Sequence, residues 1–120
     1  MSYIDGFVIA VPNTNHEKFV SHANSFDSIF LEFGATRVVE CWADDVPEGK
    51  VTDFRRAVQA KPDESVVFSW IEWPDKTTRD TGMEKFMKDP RMEAAGAMPF
   101  DGKRMIFGGF VPVVELNTKS

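Results

Sequence analysis

The sequence predicts a single α+β domain, residues 1–120, with the element order β-α-β-β-α-β. Three observations support this prediction. Neither side of the stretch Ser65–Trp73 (SVVFSWIEW) is clearly polar, which is typical of a strand buried on both faces. Phenylalanine and alanine recur at steps of three and four between residues 19 and 33, which indicates an amphipathic helix. Proline or glycine follows three of the apolar segments and ends them.

The first half of the chain supplies a strand, a helix and a second strand. Tyr3–Val11 is an apolar strand followed by a proline, which cannot donate to a sheet ladder. Thr14 with Glu17 three residues later forms a capping-box pattern, which predicts the start of the helix. Gly34 supplies the left-handed residue at which the helix ends. Residues 35–43 alternate and predict the second strand.

A long polar connection, residues 44–64, follows the second strand. Connections of this length are unusual between neighbouring strands and often serve function or assembly. The apolar residues between 54 and 58 predict about one turn of structure within it. The connection ends at the apolar strand 65–73.

The chain closes with a second helix and a last strand. Asp75 is placed to cap a helix that runs to about Lys88. Residues 104–116 predict the last strand, in which the adjacent Gly108 and Gly109 indicate a bulge or a close backbone approach. The apolar residues expected on the inner face of the second helix are Met83, Phe86 and Met87.

This order is the split pattern of a ferredoxin-like antiparallel sheet, with the first and third strands central and both helices on one face. The small residues Gly6, Ala10 and Ser69 are expected to lie under the helices. Two helices leave the other face open, so the sequence predicts a homodimer with the two sheets packed face to face about a two-fold axis. The open face is predicted to carry Phe7, Ile9, Trp42, Phe68 and Trp70, alternating with Asp5, Glu40 and Glu72.

Composition limits the partners. The chain has 14 lysines and arginines against 19 acidic residues, a net charge of −5, which argues against nucleic acid and anionic membrane surfaces as partners. No apolar run approaches the length of a membrane span. The single cysteine, Cys41, fits a reducing compartment and reads as a packed small residue, so we expect a cytoplasmic protein.

Four segments carry a resemblance that covers essentially the whole chain: YIDGFVIAVP, VVECWADDVPEGKVTDFRRAVQAK, ESVVFSWIEWPDK and MPFDGKRMIFGGF. They resemble the small bacterial family known as domain of unknown function 1428. The resemblance implies the fold of the dimeric α+β barrel superfamily, and therefore the same dimer. No activity is established for that family, so the resemblance assigns no functional residues and leaves open whether the chain is an enzyme.

Few residues of the sequence suggest a catalytic or ligand-binding role. His22 falls at the edge of the apolar stripe of the first helix, where it is either a general base or ligand contact, or a partly buried histidine with one hydrogen bond. His16 and His22 lie on different sides of the helix and cannot share a metal, so we predict no metal site and no cofactor.

Other candidates lie on the predicted strands and turns. If Asp5, Glu40 and Glu72 share a desolvated face, one of them is held protonated; alternatively they pair with Arg37 or Arg104, or lie at the solvated rim of the dimer interface. Asp101 and Arg104 either hold a ligand carboxylate or phenol, or cap a turn and form an ion pair. Tryptophans are suited to wall a pocket. The ligand-binding candidates are His22, Trp42, Trp70, Glu72, Asp101 and Arg104.

Two functions remain open at this point. The first is a homodimer that binds a small apolar or aromatic molecule in a pocket of the barrel. The second is a dimeric interaction module without catalytic activity, in which the 44–64 segment wraps the partner.

Overall fold

The computed structural model describes residues 2–118. The strands, in chain order, are β1 Tyr3–Pro12, β2 Arg37–Trp42, β3 Glu64–Trp73 and β4 Ile106–Phe110. The helices are α1 His16–Glu32, α2 Phe54–Ala57, α3 Lys76–Lys88 and α4 Pro90–Ala94, with short 3-10 turns at Asn13–Asn15 and Gly102–Arg104. The strands form one antiparallel sheet in the order β2-β3-β1-β4. The α+β class and the central position of the first and third strands are therefore confirmed.

Capping residues explain where most helices begin and end. The Asp75 carboxylate accepts the backbone N–H of Thr78, as the sequence predicts for α3. Gly34 ends α1 with a φ of +114°, a value that favours glycine. The capping box predicted at Thr14 is wrong. A 3-10 turn precedes α1, and Asn15, the N-cap residue of α1, makes no side-chain capping bond.

One face of the sheet packs against α1 and α3 and forms most of the core. Val11, Val67 and Trp73 are fully buried there. α3 crosses Trp73 closely because Gly82 has no side chain: a Cβ at this position would lie 2.6 Å from the Trp73 ring. Of the three apolar residues predicted on the inner face of α3, Phe86 is buried and Met83 is half-buried, but Met87 is 70% exposed.

The other face of the sheet carries no helix over most of its area. Phe68 and Trp70 project from this open face, and the ring of Phe110 lies 3.6 Å from the position that a Cβ of Gly6 would take. The prediction that Gly6 and Ala10 lie under the helices is therefore wrong.

The predicted composition of the open face needs a matching correction. Side chains alternate along a strand, so an error of one residue exchanges the two faces. The register confirms Phe68, Trp70 and Glu72 on the open face. It places Phe7, Ile9, Trp42, Asp5 and Glu40 on the helix face, together with Ser69. Cys41 pairs with Phe68 and is exposed, so the prediction that it is a packed small residue is wrong.

The 44–64 segment covers one end of the open face. Val58, at the end of α2, is buried against Ala10 and Val66. Phe54 packs edge-on against Phe68, with ring centroids 5.9 Å apart. The predicted turn of structure around residues 54–58 is thus present, and it shortens the uncovered part of the sheet.

The last strand is shorter than predicted. β4 ends at Phe110, and Pro112 removes the ladder donor that a longer strand would use. The two adjacent glycines form no bulge, because the register between β1 and β4 is continuous. The Phe110 ring instead packs against Gly108 on one face of the sheet. Beyond β4 the chain carries exposed apolar side chains, of which Val113 (92%) and Leu116 (88%) are the most accessible.

Candidate functional site

A cleft of about 440 Å³ lies between α1 and the edge strand β2, on the helix side of the sheet. Its wall is mainly apolar and includes Phe19, Val38 and Trp42. Its polar side chains include two carboxyl groups, Asp27 and Glu40. A mostly apolar cleft with a few convergent polar groups is the usual form of a small-molecule site. We call this feature the α1/β2 cleft.

Helical spacing brings one side of the cleft together. His16, Val20, Ala23, Asp27 and Leu31 follow one another on α1 at steps of three and four, so they share one face of the helix. Ala23 is the buried member of this row. The side chain of Asp27 therefore lies at the boundary between the helix and the sheet.

Strand alternation supplies the opposite side. Val38, Glu40 and Trp42 are alternate residues of β2, and their partners on β3 are Ile71, Ser69 and Val67 in turn. β2 is an edge strand, so the cleft opens along the edge of the sheet. Glu40 thus lies between two apolar side chains of β2 and faces Asp27 on α1.

The two carboxyl groups interact strongly. Burial, and then the hydrogen bond and charge of Glu40, raise the pKa of Asp27 to about 9, so at neutral pH Asp27 carries a proton that it can share with Glu40. Apart from the proton of Asp27, the buried Oε1 atom of Glu40 has no hydrogen-bond donor among the described residues. The pair is a partly buried acid site that holds one negative charge and one proton.

Both histidines of α1 lie against aromatic rings. The His16 ring meets Trp42 edge-on at the mouth of the cleft, with centroids 4.4 Å apart, and its Nδ1 lies 3.1 Å from the Glu17 carboxylate. His22 stacks on Phe26, with ring centroids 4.5 Å apart. Burial lowers the pKa of His22, partly offset by the negative charge of Glu40, so its imidazole is mainly neutral at neutral pH.

The six predicted ligand-binding residues lie in four separate places. Trp42 lines the α1/β2 cleft. His22 lies in a shallow groove on another side of α1, next to Phe26. Trp70 and Glu72 lie together on the open face, where the indole N–H of Trp70 donates to Glu72 at 2.8 Å.

Asp101 and Arg104 form the fourth group, an ion-pair network at the end of β3. The Arg104 guanidinium makes two bonds of 2.7 Å to Glu64 and one of 3.0 Å to Asp101. Arg104 lowers the pKa of Glu64 to about 2, and its hydrogen bond also lowers the pKa of Asp101. The Asp101 carboxylate also accepts the backbone N–H of Lys103, so it caps the turn.

The three strand carboxylates have different environments. Asp5 is buried and accepts bonds from the Arg79 guanidinium at 2.8 Å and from the indole of Trp73 at 2.9 Å. Glu72 accepts bonds from Trp70 and, at 3.4 Å, from Arg37. Within the described part of the chain, Glu40 has neither an arginine nor a tryptophan as a hydrogen-bond partner.

Sequence reasoning missed Asp27, although its position four residues after Ala23 signals a carboxyl beside the buried stripe.

Two further properties concern the 2–118 portion of the chain that the structure describes. Within it, no three histidine, cysteine or acidic side chains are grouped so that they would ligate a metal ion. The same portion contains no helix with the length and apolar character needed to cross a bilayer.

Comparison with known proteins places the chain in a family. The model of a family described as "Protein of unknown function (DUF1428)" matches residues 2–102. The chain belongs to this family. It is also 56% identical to the uncharacterized protein YbaA of Escherichia coli K12 and to that of Shigella flexneri, over 96% of this chain and 99% of theirs. The resemblance noted from the sequence is therefore confirmed.

Solved structures of low sequence identity share the fold. A dimeric ferredoxin-like protein from an uncultured marine organism superposes with a TM-score of 0.59 at 10% identity, over 96% of this chain and 98% of that one. An uncharacterized NIPSNAP domain protein from Burkholderia xenovorans gives a TM-score of 0.56 at 16% identity, over the same shares. These likenesses confirm the ferredoxin-like fold.

Proposed function

We propose that this DUF1428 protein is a homodimer that binds a small, largely apolar or aromatic molecule in each of its α1/β2 clefts. The observation that carries the binding function is the carboxyl pair Asp27–Glu40, which no lysine or arginine of the lining neutralises, inside an apolar cleft of about 440 Å³. Buried polar groups are normally paired within the protein, and unpaired ones concentrate at functional sites. Trp42 provides the aromatic wall. The exposed Cys41 thiol suits a reducing, cytoplasmic compartment.

The open face of the sheet supports the homodimer. Phe68, Ile106 and Phe110 are each at least 45% exposed on this face, and an apolar trough of about 740 Å³ runs between them. Contiguous apolar surface of this kind usually marks an interface. The fold neighbour from the marine organism is described as dimeric, which agrees with a face-to-face pair. Dimerisation would use the open face and leave the α1/β2 cleft accessible.

The oligomeric state tests the first half of the proposal. We expect the wild-type chain to sediment as a dimer, and Phe68→Arg to sediment as a folded monomer because it places a charge in the interface. Met87→Arg is the matched control, since Met87 is an exposed apolar residue on the helix side. A wild-type monomer would overturn the dimer. If Phe68→Arg aggregates, Phe110→Arg provides a second variant, and two dimeric arginine variants would exclude this face as the interface.

Binding of a neutral aromatic probe tests the second half. N-phenyl-1-naphthylamine fluoresces when it enters an apolar site, and we expect saturable binding to the wild-type dimer. Val20→Trp fills the cleft from its rim and should lower the affinity at least about tenfold. Met87→Trp, which adds the same side chain on α3, should leave the affinity unchanged. Equal binding by all three proteins would exclude the cleft as the site.

The alternative is a dimeric interaction module with no ligand. It is favoured by the exposed apolar tail after β4, in which Val113 and Leu116 contact little of their own chain. This alternative predicts a stable wild-type dimer that does not bind the probe. The two measurements together therefore decide between the functions.

A further inference from the structure

We propose that the α1/β2 cleft selects organic cations: an ammonium or amidinium group, carried on an aromatic or aliphatic body, binds between Asp27 and Glu40. This inference rests on the proposed binding function and adds the chemical class of the ligand. In the free protein, the proton shared by the two carboxyl groups occupies the place of the cation. Binding therefore exchanges a proton for the charged group of the ligand.

Two buried carboxylates elsewhere in the chain have the basic partners that this site lacks. Asp5 has the guanidinium of Arg79 and Glu64 has that of Arg104, each at hydrogen-bond distance. Each also accepts an N–H from another group, the indole of Trp73 or the backbone of Lys61. Burial of a carboxylate is costly unless it is paired in this way. The chain thus supplies a cation for both of these buried single carboxylates.

The carboxyl pair has no such cation. Neither lysine nor arginine is among the residues that line the cleft. Apart from the proton of Asp27, Glu40 Oε1 is a buried acceptor without a donor among the described residues, although it lies beside an accessible cavity. An N–H group that arrives with a ligand would satisfy this oxygen and neutralise the pair. A carboxylate or phosphate ligand would meet repulsion from Glu40 instead.

The walls of the cleft suit the body of such a ligand. Phe19, Val20 and Val38 provide apolar surface. Trp42 offers an indole ring, the aromatic surface that attracts cations most strongly. The net charge of −5 also favours the approach of cations over anions.

Proton exchange gives the proposal a measurable signature. The pKa of Asp27 is about 9, so a cation that needs both carboxylates ionised should bind about tenfold more tightly per pH unit as the pH rises toward that value. The other titratable groups that face the pair are His16 at the mouth of the cleft and His22, whose pKa is lowered by burial. His16→Gln should keep the pH dependence if Asp27 is its source.

Benzamidine is the probe, and benzamide and benzoate are its neutral and anionic counterparts. Isothermal titration of the full-length dimer at about pH 7 and about pH 8 should show benzamidine binding about tenfold tighter at the higher pH. Titration in two buffers of different ionisation enthalpy should show the release of about one proton per benzamidine. We expect benzamide to bind at least about tenfold more weakly, and benzoate not to bind.

Variants assign the effect to the carboxyl pair. Asp27→Asn should weaken benzamidine binding at about pH 8 at least tenfold and remove its pH dependence, because no proton is left to exchange. Asp45→Asn, which removes an exposed carboxylate in the 44–64 segment, should change neither. If Asp27→Asn does not fold, Glu40→Gln and the proton release of the wild type decide the question.

Several results would overturn the inference. These are benzamide or benzoate binding as tightly as benzamidine, pH-independent binding, or full binding by Asp27→Asn. Tight binding of calcium or manganese chloride alone, lost in Asp27→Asn, would identify a metal site instead. If N-phenyl-1-naphthylamine binds the cleft and benzamidine does not, only the ligand class is wrong. If neither binds, the proposed function fails as well.

Discussion

Substitution of Asp27 by asparagine should stabilise the protein, and more so at neutral than at acidic pH. In the folded chain the pKa of Asp27 is about 9, compared with 3.8 as its ordinary value. Between these values the folded state binds a proton that the unfolded state has lost. The free energy of unfolding therefore falls as the pH rises through this window, and the contribution of this group is most favourable below about pH 4.

The magnitude follows from the size of the shift. Each pH unit within the window removes at most about 1.4 kcal/mol, so the limit from about pH 5 to about pH 7 is roughly 2.7 kcal/mol. Asp27 is only partly buried, and solvent screening reduces the effect to about 1–2 kcal/mol. An asparagine at this position has no proton to lose, and its amide can donate to Glu40 in place of the carboxylic acid.

Urea unfolding of both proteins at the two pH values is the assay. The variant minus wild-type difference in unfolding free energy should grow by about 1–2 kcal/mol between about pH 5 and about pH 7. The lowered pKa of His22 gives an opposite slope below its ordinary value of 6.5, but this slope is common to both proteins and cancels in the difference. Asp45→Asn should show no such growth. A difference that is the same at both pH values would refute the shared-proton description of the pair.

Two further predictions concern packing and the acid limb. Gly82→Ala should lower the free energy of unfolding by about 1–3 kcal/mol, because its methyl group would lie 2.6 Å from the Trp73 ring and 2.8 Å from the Phe33 carbonyl oxygen. Thermal unfolding measures this, and Gly102→Ala, which meets nothing within 4 Å, should be nearly neutral. Glu64→Gln should cost about 3 kcal/mol at neutral pH. The pKa of Glu64 falls from 4.5 to about 2 in the folded state, so this cost should shrink as the pH falls through that range, and a cost that stays constant contradicts the ion-pair account.

The fold was largely predictable because local patterns agree with the final packing. The apolar steps of α1, the glycine at its end and the Asp75 cap each depend on a few neighbouring residues, and the structure contains all three. The facing of the strands was not predictable from the same information. Gly6 and Ala10 are small and suggest a helix above them, but they make room for Phe110 and for Val58 on the opposite face.

The candidate site was less predictable than the fold. Trp42 and Glu40 were singled out on β2, but Asp27 on α1 was not, because the contact between them depends on how the helix lies across the sheet edge. The sequence allowed an ion pair for Arg104 but did not identify its partner, Glu64, which lies 40 residues earlier. Long-range pairs of this kind are set by topology, which single-residue patterns do not record.

The loop-borne α2 has a consequence for how the family varies. It covers part of the open face, so the area left for self-association depends on a connecting segment and not on the strands. Connecting segments tolerate insertions and deletions much better than strands do. If the proposed dimer forms through the open face, relatives with longer or shorter segments should associate with different strengths while they keep the same sheet and the same helix-side core.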